Sequence, residues 1–280
     1  MDVRLGKKIG EGGCSEVYEW EGQSKIVKLA KANTDLDAMK KEYHNNRSVW
    51  EAGLPVPKPY ELIELNGQAG LICERINAKS MMLRFQELVM NESPSDVGGE
   101  DIRIMARALY EIHSRSDISL PINQRDEIKY SIHIAPYLSL LEKELIIAHL
   151  AKLPAKRQLC HGDPNPGNFI IQDDGNAIVI DWMNASIGNP EADLADYMIM
   201  MRYAVLPDEI PSAIQDYFDR VREMMIDHFM EQYSQLSGVT YEEVLPWMIP
   251  AAVRKLSNDG IGTREKERLV HFIRSHIHTA

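Results

Sequence analysis

The sequence has little cysteine and no long apolar run, and both absences narrow the class of protein. Its 280 residues include three cysteines, Cys14, Cys73 and Cys160, which are far apart and form no C-x-x-C pair. Neither a disulfide framework nor a zinc site is therefore indicated, and a reducing compartment fits best. The start, M-D-V-R-L-G-K-K-I-G, has no apolar signal-peptide core, and no run approaches the roughly 18 apolar residues of a membrane span. We expect a cytoplasmic protein without membrane partners.

The sequence also lacks an excess of basic charge, since 42 acidic residues outnumber 31 basic ones and the formal net charge is -11. A chain of this charge is not expected to bind nucleic acid, because such binding depends on a basic face. The acidic excess is concentrated between residues 181 and 243, where thirteen acidic residues accompany three basic ones. Such a run is typical of a solvated helical surface, and we expect Asp196 and the carboxylates after it to be exposed. The alternative is a cleft that attracts a cationic substrate.

The pattern of the sequence changes once, near residue 76, from strand-like to mostly helical. Residues 1–30 contain short alternating or β-branched runs, residues 35–51 form one helical segment, and Asn66-Gly67 between residues 60–65 and 70–76 predicts a hairpin. The first 76 residues therefore form a strand-rich unit with a single helix.

Helical spacing dominates the rest of the chain. Apolar stripes predict helices over residues 102–113, 134–153 and 213–236. The exception is the stretch 160–182, which we interpret as a loop followed by two short strands joined by the turn sequence D-D-G-N.

Two neighbouring motifs in that exceptional stretch contain candidate functional residues. Residues 161–168 read H-G-D-P-N-P-G-N, and residues 178–182 read I-V-I-D-W. A tight hairpin over residues 168–181 would bring Asp163, Asn168 and Asp181 to its open end. Amide and carboxylate oxygens are hard ligands that suit magnesium, so Asn168 and Asp181 are candidate metal ligands. Asp163 is a candidate general base for an incoming hydroxyl, which makes the predicted chemistry phosphoryl transfer.

A second set of candidates lies near the N-terminus. The segment I-G-E-G-G-C-S-E-V-Y, residues 9–18, could let its backbone approach phosphates closely through Gly10, Gly12 and Gly13, although a plain hairpin turn would explain the same glycines. Lys28 in the apolar run I-V-K-L could direct a charge at phosphates, and Glu42 in the following helix could pair with Lys28. The order of glycine loop, strand lysine, helix glutamate, catalytic loop and metal aspartate favours the functional interpretation.

Taken together, these motifs resemble the aminoglycoside phosphotransferase and choline kinase-like group within the protein-kinase-like fold. Residues 161–168 match the H-G-D-x-x-x-x-N loop of that group. Residues 180–195, I-D-W-M-N-A-S-I-G-N-P-E-A-D-L-A, match its metal-binding segment with the following G-x-P-x-x-D-L-A. Residues 51–61, E-A-G-L-P-V-P-K-P-Y-E, resemble the join between the helix and the next strand.

The resemblance implies an α+β, two-lobed fold. Residues 1–76 would be a nucleotide-binding lobe with a small antiparallel sheet and one helix, and residues 77–280 a larger, mainly helical lobe for catalysis and substrate binding. It also implies a small-molecule kinase that uses ATP and Mg²⁺ to phosphorylate a hydroxyl of a small metabolite or antibiotic. GTP is the less favoured nucleotide. The acidic composition slightly favours a cationic acceptor.

The same resemblance implies individual roles. Asp163 would be the catalytic base, Asn168 and Asp181 the magnesium ligands, and the stretch 73–76 the hinge whose backbone meets adenine. The implied nucleotide-binding residues are Gly10, Gly12, Gly13, Ser15, Val17, Lys28, Glu42, Glu74 and Ile76.

Differences from the sequence patterns of protein kinases and antibiotic kinases narrow the class of acceptor. Ser15 stands where protein kinases usually have a third glycine, and the H-R-D arginine and an A-P-E segment are missing, so a protein acceptor is disfavoured. The antibiotic kinases of the group that this sequence resembles tend to have an acidic C-terminal end. Residues 254–280 instead contain six basic and three acidic residues, so this end of the sequence does not support an aminoglycoside acceptor. A nucleotide-binding regulatory pseudoenzyme and a protein kinase remain as alternatives, and the sequence says nothing about oligomeric state.

Overall fold

An antiparallel sheet and one helix build the N-terminal part of the protein. The structure, a computed structural model, describes residues 5–90, 99–206, 210–258 and 260–277. Five strands lie in the spatial order β1-β2-β3-β5-β4, and every neighbouring pair is antiparallel. They are β1 (Lys8–Glu11), β2 (Ser15–Trp20), β3 (Lys25–Ala30), β4 (Pro59–Leu65) and β5 (Gln68–Glu74). The predicted Asn66-Gly67 turn joins the last two strands, with both residues at positive φ as a tight hairpin requires.

Helix α1 (Leu36–Glu51) crosses one face of this sheet. It begins where the Asp35 side chain accepts a hydrogen bond from the backbone N–H of Ala38. Successive side chains of a strand point to opposite faces, so Val27 and Leu29 pack on the face away from the helix, and Lys28 between them points towards α1. Strand alternation therefore aims the lysine at the helix.

A single large hydrophobic core holds together the C-terminal part of the protein, which is mainly helical. Among the described residues its helices are α2 (Met81–Met90), α3 (Gly99–His113), α4 (Gln124–Ile134), α5 (Leu140–Lys152), α6 (Pro190–Tyr203), α7 (Ser212–Ser237), α8 (Tyr241–Val244), α9 (Met248–Leu256) and α10 (Thr263–His276). None of the helices in these ranges is both long and apolar enough to cross a membrane.

The prediction of one helix over residues 134–153 is wrong. Helix α4 ends at Ile134, and α5 begins only at Leu140, after Ser139 has capped it with a capping box. Pro136 explains the break, because a proline disfavours helical backbone in the residue before it. Tyr137, the next residue, has a left-handed backbone with φ of 67°.

Two small sheets between the helices support the segment 158–188. Strand β6 (Lys79–Ser80) pairs with β8 (Phe169–Ile171), which forms the predicted hairpin with β9 (Ala177–Val179). Strand β7 (Gln158–Cys160) pairs with β10 (Ser186–Gly188). The loop 161–168 thus starts at the end of one small sheet and finishes at the start of the other.

Candidate active site

The carboxylate of Asp163 is held by two asparagines of its own loop. Asn165 Nδ2 donates to Asp163 Oδ2 at 3.0 Å, and Asn168 Nδ2 donates to the same oxygen at 3.1 Å and to the Asp163 carbonyl at 2.9 Å. Asn168 closes the one-turn 3₁₀ helix Pro166–Asn168 and is buried. Because its amide nitrogen is occupied by Asp163, its side-chain oxygen is the atom that can bind a cation.

The buried side chains of His161 and Asp193 fasten the start of this loop. Asp193 accepts hydrogen bonds from the backbone N–H groups of His161, at 2.6 Å, and Gly162, at 3.1 Å. His161 Nδ1 accepts from the Asp163 N–H at 3.2 Å, so Nε2 is the nitrogen that donates to the Ile180 carbonyl at 3.0 Å. Burial alone would raise the pKa of Asp193, but bonds from His113 and Gly162 outweigh it, and the pKa is lowered. Both side chains therefore act on the shape of the loop.

Gly162 allows the loop to pack directly on the backbone of residue 184. Its φ is +77°, and a Cβ atom added there would lie 2.2 Å from the carbonyl oxygen of Asn184. Side chains of ordinary residues fit neither the backbone conformation nor the space.

Asp181 lies two residues beyond the end of β9 at Val179, so the aspartate follows the strand and does not belong to it. Its backbone is left-handed, with φ of 67° and ψ of 65°, a conformation that aspartate adopts more readily than most residues. Its side chain is 42% exposed, and its Oδ1 lies 3.6 Å from Lys28 Nζ. The exposed carboxylate of Asp181 and the amide oxygen of Asn168 are hard donors that fit magnesium.

Lys28 joins the sheet to the rest of the site. Its ammonium forms an ion pair with Glu42 of α1, which is 2% exposed, and faces Asp181. Burial favours the neutral amine of Lys28, but the carboxylates of Asp181 and Glu42 outweigh burial, so the pKa of Lys28 is raised. Burial also raises the pKa of the Glu42 carboxyl, while the Lys28 ammonium opposes that rise. The lysine is therefore a fixed positive charge between two carboxylates.

The glycine loop forms the turn between β1 and β2. A Cβ atom on Gly13 would meet nothing within 4 Å, and one on Gly12 would touch only the Ser15 carbonyl at 4.0 Å, so packing does not require these glycines. Ser15 is buried, and Val17 is the direct cross-strand partner of both Gly10 and Lys28. The loop, Val17 and the lysine therefore share one end of the sheet.

The predicted hinge leaves the sheet at the end of β5. Glu74 exchanges hydrogen bonds with the Lys58 backbone, donating its own N–H to the Lys58 carbonyl at 2.9 Å. In the described part of the chain, the backbone of Ile76 has no hydrogen-bond partner. Its N–H and carbonyl are thus available to a ligand.

Three residues of the site were missed or misplaced by the sequence analysis. Asn45 on α1 donates from Nδ2 to the Trp182 carbonyl at 2.9 Å. Asp196 was expected on a solvated surface, but its side chain is only 15% exposed and pairs with Arg254. Arg254 also donates to the Gly162 carbonyl. No local pattern marks these residues, because their partners are 58 to 137 positions away.

Solved structures with the same fold include aminoglycoside phosphotransferases and a choline kinase. A thermostable mutant of aminoglycoside phosphotransferase APH(4)-Ia has a TM-score of 0.65 at 15% identity, covering 99% of this chain and 94% of that chain. Choline kinase LicA from Streptococcus pneumoniae has a TM-score of 0.62 at 18% identity, covering 98% and 94%. The aminoglycoside-3'-phosphotransferase of type VIII has a TM-score of 0.59 at 16% identity, covering 91% and 94%. No curated protein matches the sequence.

The fold therefore defines the class as a two-lobed, kinase-like protein, as predicted. The model of the phosphotransferase enzyme family matches residues 7–226, and the chain belongs to that family. It is an ATP-dependent phosphotransferase with an alcohol group as acceptor.

Proposed function

We propose that this protein is a small-molecule kinase that transfers the terminal phosphoryl group of ATP, together with Mg²⁺, to a hydroxyl of a small molecule bound among the C-terminal helices. The observation that carries the proposal is the bridge from Glu42 through Lys28 to Asp181, which joins the sheet to the segment that follows β9. The bridge spans the predicted border near residue 76 between the two lobes. Phosphoryl transfer depends mainly on positioning and charge, and this arrangement supplies both.

Each residue has a role in that reaction. Asp163, oriented by Asn165 and Asn168, accepts the proton of the acceptor hydroxyl. Lys28 stabilises negative charge on the nucleotide phosphates. Asn168 and Asp181 would hold the magnesium ion, which, when bound, neutralises charge developing on the phosphate oxygens.

The nucleotide would lie against the sheet. The backbone of Gly10, Gly12 and Gly13 would approach the phosphates. An added Cβ atom would meet nothing within 4 Å at Gly13 and only the Ser15 carbonyl, at 4.0 Å, at Gly12. The backbone groups of Ile76, which have no hydrogen-bond partner among the described residues, would meet the adenine next to Glu74. Ser15 and Val17 would complete the wall of the site. Three free cysteines fit a reducing cytoplasm as the place of action.

The acceptor is proposed as a small hydroxylated molecule such as a sugar, an amino alcohol or an aminoglycoside. One structure of the thermostable APH(4)-Ia variant is a ternary complex with ADP and hygromycin B, which supports this class of acceptor. A strong preference for a cation has less support, because Asp193 and Asp196 next to the loop are occupied by protein partners.

The proposal is tested by magnesium-dependent transfer of labelled phosphate from ATP or GTP to a panel of choline, sugars, amino alcohols and aminoglycosides. Asp163→Asn should lower turnover by about 10²–10⁴-fold, the contribution of a general base, while calorimetry still detects ADP binding. Asp126→Asn, on the exposed start of α4, is the matched control and should retain full turnover.

Three outcomes would contradict the proposal. Wild-type turnover in Asp163→Asn would exclude Asp163 as the base. Magnesium-dependent ATP binding without transfer to any acceptor would favour the regulatory pseudoenzyme, and transfer only to generic protein acceptors would favour a protein kinase.

A further inference from the structure

Arg254 of helix α9 contacts the catalytic loop. It lies near the end of α9, and its guanidinium donates from Nη2 to the carbonyl oxygen of Gly162 and from Nη1 to the carboxylate of Asp196 on α6. Gly162 is separated from it by 92 positions in the sequence. One side chain therefore connects two helices of the core to the residue that precedes Asp163.

Both anchors of this side chain lie on helices that pack against each other. Helix α9 is almost entirely buried, and α6, which carries Asp196, packs against it. The side chains of Arg254 and Asp196 are 21% and 15% exposed. A guanidinium presents its donors in a planar fork, so two fixed acceptors determine its orientation.

The contact fixes one peptide plane. The Gly162 carbonyl and the Asp163 N–H belong to the same planar peptide unit. Arg254 binds the carbonyl end of that unit, and His161 Nδ1 accepts from the N–H end at 3.2 Å. Asp193 additionally holds the Gly162 N–H. With both ends of the plane bound, the unit cannot rotate, and the direction in which the Asp163 side chain leaves the backbone is set.

The charges around Arg254 also favour its position beside the loop. Asp163, Asp193 and Asp196 all act on it and together raise its pKa above the level that burial alone would give. Burial and the carboxylates of Asp193 and Asp163 raise the pKa of Asp196 to about 7, although Arg254 opposes them. The guanidinium therefore compensates three crowded carboxylates beside the loop.

We infer that Arg254 is a positioning residue for phosphoryl transfer: it holds the Gly162–Asp163 peptide so that the Asp163 carboxylate faces the acceptor hydroxyl, and Asp196 holds Arg254. The inference rests on the proposed role of Asp163 as the base. It assigns no contact between Arg254 and either substrate.

The test compares Arg254→Met and Arg254→Lys with Arg202→Met. Arg202 on α6 is a matched control, because it is 24% exposed and pairs with Glu223 away from the loop. Turnover is measured with labelled ATP and the acceptor found in the panel, and with water as acceptor. The affinity for ADP with magnesium is measured by calorimetry, and thermal unfolding is followed in parallel.

We expect Arg254→Met to lower kcat by about 10–100-fold, since misplacing a catalytic group by about 1 Å can cost 10²-fold. KM for ATP and the affinity for ADP should stay within about twofold. Arg254→Lys should recover part of kcat, because an ammonium keeps the charge but cannot bind both acceptors as a fork. Arg202→Met should unfold at a lower temperature with unchanged kcat.

A lower unfolding temperature of Arg254→Met with wild-type kcat would overturn the inference, because that is the result of a purely structural role. If Arg254→Met does not fold, the double variant Asp196→Asn/Arg254→Met, which leaves no unpaired carboxylate at this position, carries the same comparison. The variant Asp163→Asn distinguishes failure of this inference from failure of the proposed function. Loss of turnover in Asp163→Asn with full kcat in Arg254→Met defeats this inference alone, whereas full turnover in Asp163→Asn defeats the proposed function.

Discussion

Replacing Gly162 by alanine should damage both stability and turnover, because the structure leaves no room for the added carbon. The new Cβ atom would lie 2.2 Å from the Asn184 carbonyl oxygen and 2.9 Å from the carbonyl carbon, both backbone atoms of the segment that follows Asp181. The backbone φ of +77° is also unfavourable for alanine. Gly175, in the turn between β8 and β9, is a matched control, since its φ is +78° and nothing lies within 4 Å of its added Cβ.

The two variants separate the two costs. A left-handed backbone costs an L-residue about 1–2 kcal/mol, and Gly175→Ala should lose about that free energy of unfolding. Overpacking a tight site costs a further 1–3 kcal/mol or so, which brings the expected loss for Gly162→Ala to about 2–5 kcal/mol. Relief of the clash requires the loop to move by about 1 Å, a misplacement that can lower turnover by about 10²-fold.

Urea denaturation and acceptor-dependent ATP turnover of both variants provide the assay. Gly175→Ala should keep the wild-type kcat, and Gly162→Ala should lose about two orders of magnitude. Equal stability of the two variants, together with full turnover in Gly162→Ala, would refute the argument that close packing on residue 184 fixes the orientation of Asp163.

Two further predictions concern the charges of the site. Glu42→Gln should lower kcat/KM for ATP by about 10–100-fold, because removing one partner of a buried ion pair is costly and lets Lys28 turn towards Asp181. The control Glu51→Gln, on the same helix, should have no effect. Equal kcat/KM values for the two variants would contradict this prediction. Burial, together with the nearby carboxylates of Asp193 and Asp163, raises the pKa of Asp196 to about 7 against the opposing effect of Arg254. The folded protein therefore binds that proton more tightly than the unfolded chain, and the carboxylate destabilises the fold increasingly as pH rises from about 4 to 7. The stability of Asp196→Asn relative to the wild type, measured by urea denaturation, should therefore increase over that range, and a difference independent of pH would disprove the shift.

Local pattern was sufficient for the parts of the site that lie close together in sequence. Asp163 and Asn168 are five residues apart in a loop restricted by two prolines, and their side chains are hydrogen bonded. Lys28 in an apolar run and Glu42 in the following helix suggested that the two could pair, and they form an ion pair. The hairpin around Asn66-Gly67 followed from the turn chemistry of that dipeptide.

Long-range packing decided the rest. Arg254 looked like one of several bases at the C-terminal end, and only the fold of α9 against α6 brings it to Gly162. Asp196 belongs to an acidic run that resembles a solvated surface, yet α6 is buried on nearly all sides. The division between α4 and α5 was missed because apolar residues continue across Pro136, whose effect on the backbone outweighs the apolar pattern.

Two helices, α1 and α9, control the charged groups of the site. On α1, Glu42 and Asn45 are three residues apart and so share one face, where Glu42 holds Lys28 and Asn45 holds the Trp182 carbonyl directly after Asp181. A displacement of α1 therefore moves the phosphate-binding lysine and the metal-binding segment together. The orientation of Asp163 depends instead on α9, through the contact of Arg254 with the Gly162 carbonyl. Perturbing α1 should consequently change nucleotide affinity and turnover together, whereas perturbing α9 should change turnover alone.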